Sequence, residues 1–148
     1  MNKSLFEYQK EFMLACSQHV GSEPVTPTEY LTECDTDLWS SLVEEEHSEL
    51  HEALGALDLA ADDDPEAFLA CLAEVCAEGV DVIYTVSGLL NDLGLPAETM
   101  FQVVHEANMA KRDDDGFIHK DPETGKVLKP MGWRPVNKIK VVLEAQEV

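Results

Sequence analysis

The sequence contains few basic residues: 10 Lys and Arg stand against 30 Asp and Glu, which gives a formal net charge of -20. A field of that sign repels phosphate backbones and anionic lipid surfaces, so we expect neither a nucleic-acid partner nor a membrane partner. A phosphorylated small molecule is still compatible with this charge, because divalent cations bridge acidic side chains to phosphates.

Long apolar runs are missing as well. No stretch is long enough to cross a bilayer, and the first residues show no signal-peptide h-region. Cysteine is scarce, and its four occurrences show no C-x-x-C spacing: Cys16, Cys34, Cys71 and Cys76. We therefore expect buried thiols and a reducing, cytoplasmic location.

The apolar fraction of 45% is ordinary for a globular protein. A chain of 148 residues is long enough to bury a core, so we expect one domain over residues 1–148.

Helical spacing of apolar residues dominates the chain. Asp35 or Thr36 caps a predicted long helix, and Asp64 followed by Pro65 begins another that stops at Gly94. Shorter helices are predicted over residues 4–20, near Tyr30, from Pro96 to about Arg112, and from Pro135 to Glu144.

This order of elements predicts an all-α fold. Its simplest form is a four-helix bundle with an antiparallel helix hairpin. The C-terminal extension, residues 112–148, is rich in Asp, Gly, Lys and Pro and is predicted to be irregular or to form a small hairpin.

Five acids carry the strongest functional pattern. They form the motifs E-E-x-x-E and E-x-x-D: Glu45, Glu46 and Glu49, then Glu78 and Asp81. Carboxylates three or four residues apart share one helix face. Glu46 and Glu78 fall on apolar stripes, where charged side chains are rare unless they are paired or hold a metal.

The predicted hairpin brings the two motifs together. If its centre is the peptide bond that follows Asp63, Glu49 faces Glu78 and Glu46 faces Asp81. Four carboxylates at one level repel one another unless cations are bound. Oxygen-only ligands suit Mg²⁺ or Mn²⁺, so the sequence predicts a site for these ions.

The acidic motifs resemble the signature of the all-α nucleoside triphosphate pyrophosphohydrolases. That superfamily holds MazG-like proteins, dimeric dUTPases, dCTPases and phosphoribosyl-ATP pyrophosphohydrolases. The likeness extends to the first helix, to H-E-A-N-M-A-K at residues 105–111, and to the tail motif at residues 129–133. The overall pattern is most similar to small stand-alone MazG-like proteins with dUTPase activity.

The resemblance implies hydrolysis between the α- and β-phosphates, with dUTP as the favoured substrate, and a homodimer. It implies that four acids hold Mg²⁺ or Mn²⁺: Glu46, Glu49, Glu78 and Asp81. Glu45 would bind a further ion or help to deprotonate the attacking water. Nucleotide contacts are implied for Asn108, Lys111, Gln18 and Phe12, with Gln9 and His19 as further candidates on the first helix.

Ordinary structural roles compete with several of these assignments. Phe12 and Trp39 are also typical core residues. Lys111 is favourably placed as a cation at a helix C-terminus. Trp133 is an aromatic residue in a polar tail, where it covers either a neighbouring subunit or a ligand.

Two other function classes remain open. A di-iron carboxylate bundle needs two E-x-x-H motifs. Glu44 and His47 form one such motif. A second motif ending at His105 would need an acid at position 102, where the sequence has Gln102. A non-enzymatic helical adaptor predicts acids scattered over exposed faces and no dependence on divalent ions.

Overall fold

The computed structural model describes residues 3–62 and 64–146 of the protein. Asp63, on which the predicted hairpin centre depends, lies outside them. The described chain forms helices without strands, which confirms the all-α class. The helices are α1 (Leu5–Ala15), α2 (Pro27–Thr32), α3 (Thr36–Ala60), α4 (Pro65–Asp92), α5 (Ala97–Met109) and α6 (Lys138–Gln146).

Helices α3 and α4 pack along each other as the predicted hairpin. Both helices begin at the expected capping residues. The Asp35 side chain accepts a hydrogen bond from the backbone N–H of Leu38, and the Asp64 side chain accepts from the backbone N–H groups of Glu66 and Ala67. These bonds satisfy donors that a helix N-terminus leaves free. The buried apolar residues are Met13, Trp39, Ala53, Ala60 and Val141.

Helix α1 ends at Ala15, so the predicted end at Val20 is wrong. Ser17 adopts a positive φ of 57° and donates its N–H to the Leu14 carbonyl, while Gln18 donates to Met13. This closure of a helix C-terminus usually places glycine at the left-handed position, so a serine at that position is not a recognisable stop signal. Gln18 therefore lies in the loop after α1, not on the helix.

That loop is held on the C-terminal end of α4. The Gly21 N–H donates to the Asn91 carbonyl at 3.0 Å, and Val25 donates to Leu93 at 3.2 Å. At Gly94, which has a positive φ of 61°, an added Cβ would lie 1.9 Å from the Glu23 carbonyl oxygen. The close approach requires glycine there.

The chain divides into two compact units, Met1–Leu95 and Pro96–Val148. In the second unit, α5 is followed by an irregular segment with an isolated antiparallel bridge between Lys120 and Val127. Helix α6 begins at Lys138, later than predicted. The assignment of the whole chain to one domain stays a prediction.

The cysteines differ from the expectation of buried thiols. Cys16 and Cys76 are exposed, so that expectation is wrong for both, while Cys34 and Cys71 are half-buried. Cys76 follows Val75 by one residue, which turns it about 100° away from the half-buried stripe of α4. Separately, none of the described helices has the length and apolar character needed to span a membrane.

Candidate functional site

Three acids meet across the hairpin. Glu46 and Glu49 lie one turn apart on α3, and Glu78 approaches them from α4, with one carboxylate oxygen of each within 4.8 Å of the others. Glu46 and Glu78 are half-buried, and Glu49 is exposed. We call these three residues the acidic cluster; such a group can hold a metal ion.

The two half-buried residues of the acidic cluster, Glu46 and Glu78, both have raised carboxyl pKa values. Burial raises the pKa of Glu78, and the negative charge of Glu49 raises it further. Burial also raises the pKa of Glu46, followed by the charges of Glu49 and Asp81. In each case removal from water and like charge act together against ionisation.

An unsatisfied atom shows that the acidic cluster fits a cation. Glu78 Oε2 is buried and has no hydrogen-bond partner. A buried carboxylate oxygen without a donor is costly unless it ligates a metal or pairs with a ligand. All three groups offer oxygen only, the donor set of hard divalent ions such as Mg²⁺ and Mn²⁺.

The other two predicted acids flank this cluster. Asp81 is exposed and lies outside the group of three, yet its charge raises the pKa of both Glu46 and Glu78. Glu45 is also exposed, and its charge contributes to the raised pKa of Glu46.

Gln18 and Phe12 occupy the same compact unit as the acidic cluster. Gln18 Oε1 is buried without a hydrogen-bond partner, which leaves an acceptor free for a ligand. Phe12 is 51% exposed and meets Tyr84 edge to face, with ring centroids 5.8 Å apart. A core role for Phe12 is therefore wrong, whereas Trp39 is 5% exposed and belongs to the core as expected.

The remaining predicted substrate residues belong to the second unit. Lys111 Nζ donates to Asn108 Oδ1 at 2.7 Å. The ammonium groups of Lys111 and Lys129 each lie 5.0 Å from the centroid of the Trp133 ring. The indole N–H donates to the Ala107 carbonyl at 2.7 Å, so Trp133 covers α5 within its own chain.

A second group of metal-ligand side chains was not predicted. His19, Cys34 and Asp92 each place one ligand atom within 4.8 Å of the other two. We call these residues the His–Cys–Asp group. Burial raises the pKa of the Cys34 thiol, and the charge of Asp92 raises it further. One feature of the sequence could have indicated this group: Asp92, an acid, lies three residues after Leu89 on the apolar stripe of α4.

The di-iron alternative finds no support among the described residues. Glu44 and His47 are both exposed, and neither belongs to a group of facing metal ligands. The concentration of half-buried acids at one level also differs from the scattered pattern of an adaptor surface.

Comparison with known proteins identifies the family. The sequence profile of phosphoribosyl-ATP pyrophosphohydrolase matches residues 9–108, about two thirds of the chain and including all five acids. A comparison with curated proteins gives no match. The chain therefore belongs to the phosphoribosyl-ATP pyrophosphohydrolase family, part of the MazG-like superfamily of all-α nucleoside triphosphate pyrophosphohydrolases.

Proposed function

We propose that the protein is a divalent-metal-dependent nucleoside triphosphate pyrophosphohydrolase that converts dUTP to dUMP and pyrophosphate. The family supports a nucleotide pyrophosphohydrolase activity in general. The observation that carries the proposal is the acidic cluster, in which a buried oxygen of Glu78 lacks a partner while two further carboxylates face it.

Glu46, Glu49 and Glu78 are the proposed ligands of Mg²⁺ or Mn²⁺, with Asp81 as a further one. A bound divalent ion supplies charge that neutralises phosphate oxygens and lowers the pKa of water. The carboxylates hold their positions on two packed helices, so they offer the negative charge at a fixed place. Glu45, exposed beside Glu46, has two proposed roles: accepting the proton of the attacking water, or binding a further ion.

The proposed nucleotide contacts are supported by the resemblance and by two features of the first unit. The free acceptor of Gln18 suits a base N–H, and the exposed ring of Phe12 offers a face for stacking. Asn108 and Lys111 are proposed as contacts to sugar or phosphate, because a Lys cation pairs with phosphate oxygens. We also propose a homodimer and a cytoplasmic location.

The family's own description names a second candidate substrate, phosphoribosyl-ATP. Hydrolysis at the same type of α–β phosphate bond would use the acidic cluster in the same way. The two candidates differ in what is attached to the α-phosphate, so they differ in the demands on Gln18 and Phe12.

A substrate panel tests the proposal. Each common deoxy- and ribonucleoside triphosphate and phosphoribosyl-ATP is incubated with the full chain and Mg²⁺ or Mn²⁺, and pyrophosphate and monophosphate are measured. We expect dUTP to give the highest kcat/KM. A higher value for phosphoribosyl-ATP would replace the substrate but keep the chemistry, whereas no pyrophosphate from any compound would overturn the activity.

A further inference from the structure

We propose that His19, Cys34 and Asp92 form a second metal site, one that takes a borderline transition-metal ion such as Zn²⁺. The three residues come from three separate segments: the loop after α1, the link between α2 and α3, and the last residue of α4. The proposal does not depend on the hydrolase activity. Asp92 follows Glu78 by 14 residues on α4, a separation of about 21 Å along a straight helix.

The mixed donor set distinguishes this group from the acidic cluster. It offers an imidazole nitrogen, a thiol sulfur and a carboxylate oxygen. Zn²⁺ takes all three types of donor, whereas Mg²⁺ prefers oxygen alone. The two groups of the chain therefore match two different classes of metal ion.

The geometry points to ligands that converge on one place, not to a Cys–His–Asp nucleophile. His19 Nδ1 lies 2.8 Å from Asp92 Oδ1 and 3.9 Å from Cys34 Sγ. In a nucleophilic triad the acid and the nucleophile face opposite nitrogens of the imidazole. Here both face the same nitrogen, so the ring cannot pass a proton from Cys34 while Asp92 orients it from behind.

The position of Asp92 is fixed by donors on its other oxygen. Oδ2 accepts from the indole N–H of Trp39 at 3.1 Å and from the backbone N–H of Asp35 at 3.2 Å. These bonds leave Oδ1 directed at His19. Outer hydrogen bonds of this kind orient the carboxylate ligands of metal sites and hold them in place.

Access and charge also suit a cation. The Asp92 side chain is 3% exposed, but that of His19 is 27% exposed, so the group is reached from solvent on the imidazole side. On binding, the Cys34 S–H bond breaks and its proton passes to solvent as the sulfur–metal bond forms. In the metal-free protein the Nδ1–H of His19 donates to Asp92 Oδ1. On binding, this proton passes to solvent, Nε2 takes up a proton from solvent, and the neutral ring offers its Nδ1 lone pair. One carboxylate and one thiolate then balance the double positive charge.

Cobalt titration of the full chain tests the proposal, because a Co²⁺–thiolate bond produces a charge-transfer absorption band. The probe is Co²⁺ alone, without nucleotide, followed by competition with Zn²⁺. We expect the band in the wild-type protein and its displacement by Zn²⁺. The Cys34→Ser variant should lack the band, while Cys71→Ser, which changes another half-buried thiol, should retain it.

Two further variants keep the test decisive if Cys34→Ser folds poorly. Asp92→Asn retains an acceptor for Trp39 and Asp35 but loses the anionic ligand, and His19→Gln loses the imidazole. Because each variant removes a ligand, each should weaken Zn²⁺ binding by at least the roughly 10-fold to 100-fold that the loss of an outer-shell partner costs. Glu78→Gln should bind Co²⁺ with an unchanged band. A wild-type protein without the band, or a band that depends on Cys71 or Glu78, would overturn the proposal.

Discussion

The acidic cluster and the His–Cys–Asp group both contain a buried carboxylate oxygen, but only one of the two has partners. Glu78 Oε2 faces other acids and accepts no hydrogen bond. Asp92 accepts from His19, Trp39 and the Asp35 backbone. The first arrangement leaves a buried carboxylate oxygen without a partner, a cost that a bound cation would offset. The second is satisfied as it stands and exchanges one hydrogen bond for a metal bond.

The difference teaches how to interpret an acid on an apolar stripe. At Asp92 the carboxylate joins three chain segments and holds the loop after α1 near the end of α4. In the acidic cluster the carboxylates repel one another, which the raised pKa values of Glu46 and Glu78 express. Like charges that repel one another in a folded site indicate a function, because this repulsion does not stabilise the fold.

The largest expected effect is on turnover. Glu78→Gln removes one charge of the proposed metal site, and we expect kcat/KM to fall by on the order of 100-fold or more while the protein stays folded. The measurement is pyrophosphate release, with circular dichroism as the check on folding. The matched control is Glu52→Gln on the exposed surface of α3, which should retain full activity. Equal activity of the two variants would remove the acidic cluster from the mechanism.

The next effect contrasts two aspartates of α4. Asp92→Ala leaves the buried indole N–H of Trp39 without its acceptor, so we expect the free energy of unfolding to fall by about 1–3 kcal/mol. Asp81→Ala removes an exposed, like-charged neighbour of the acidic cluster and should leave stability equal or higher. Urea unfolding with a chelator present measures both. The comparison breaks down if Asp81→Ala is the less stable variant.

The position of Trp39 depends on a glycine. A Cβ on Gly88 would lie 2.3 Å from the Trp39 ring, so Gly88→Ala should displace the indole and cost about 1–3 kcal/mol. A Cβ on Gly55, inside α3, would meet nothing within 4 Å. Gly55→Ala should therefore stabilise the protein by about 0.5–1 kcal/mol. Thermal unfolding of the pair checks both signs, and two shifts in the same direction would contradict this packing.

The smallest effect is a pH dependence of the metal-free protein. The pKa values of Glu46 and Glu78 in the folded protein exceed the ordinary value of 4.5. At a pH between the ordinary and the folded pKa of each group, the folded state therefore binds more protons than the unfolded state. The free energy of unfolding should therefore decrease as the pH rises through this window. Glu46→Gln should reduce the slope, measured by urea unfolding in chelator. An unchanged slope would mean that the cluster does not carry this repulsion.

The sequence was sufficient where structure depends on local spacing. Asp35, Asp64 and Pro65 set the starts of α3 and α4, and the short turn between these helices set their antiparallel pairing. The facing of α3 acids with Glu78 follows from that pairing, because helix periodicity fixes which residues share a face.

Contacts between distant segments could not be predicted in this way. His19 and Asp92 are 73 residues apart, and their hydrogen bond depends on how the loop after α1 docks on α4. The end of α1 was missed because a serine adopts the left-handed conformation there. The exposure of Phe12 depends on how α1 packs against α4, which helical spacing alone does not determine.

The metal dependence of pyrophosphate release tests the central claim most directly. The protein is treated with a chelator and assayed on its best nucleotide, and Mg²⁺ or Mn²⁺ is then restored in steps. We predict no release without metal and recovery on its return, with pyrophosphate and nucleoside monophosphate formed in equal amounts. Release that continues in chelator, or products consisting of inorganic phosphate and a diphosphate, would contradict the account.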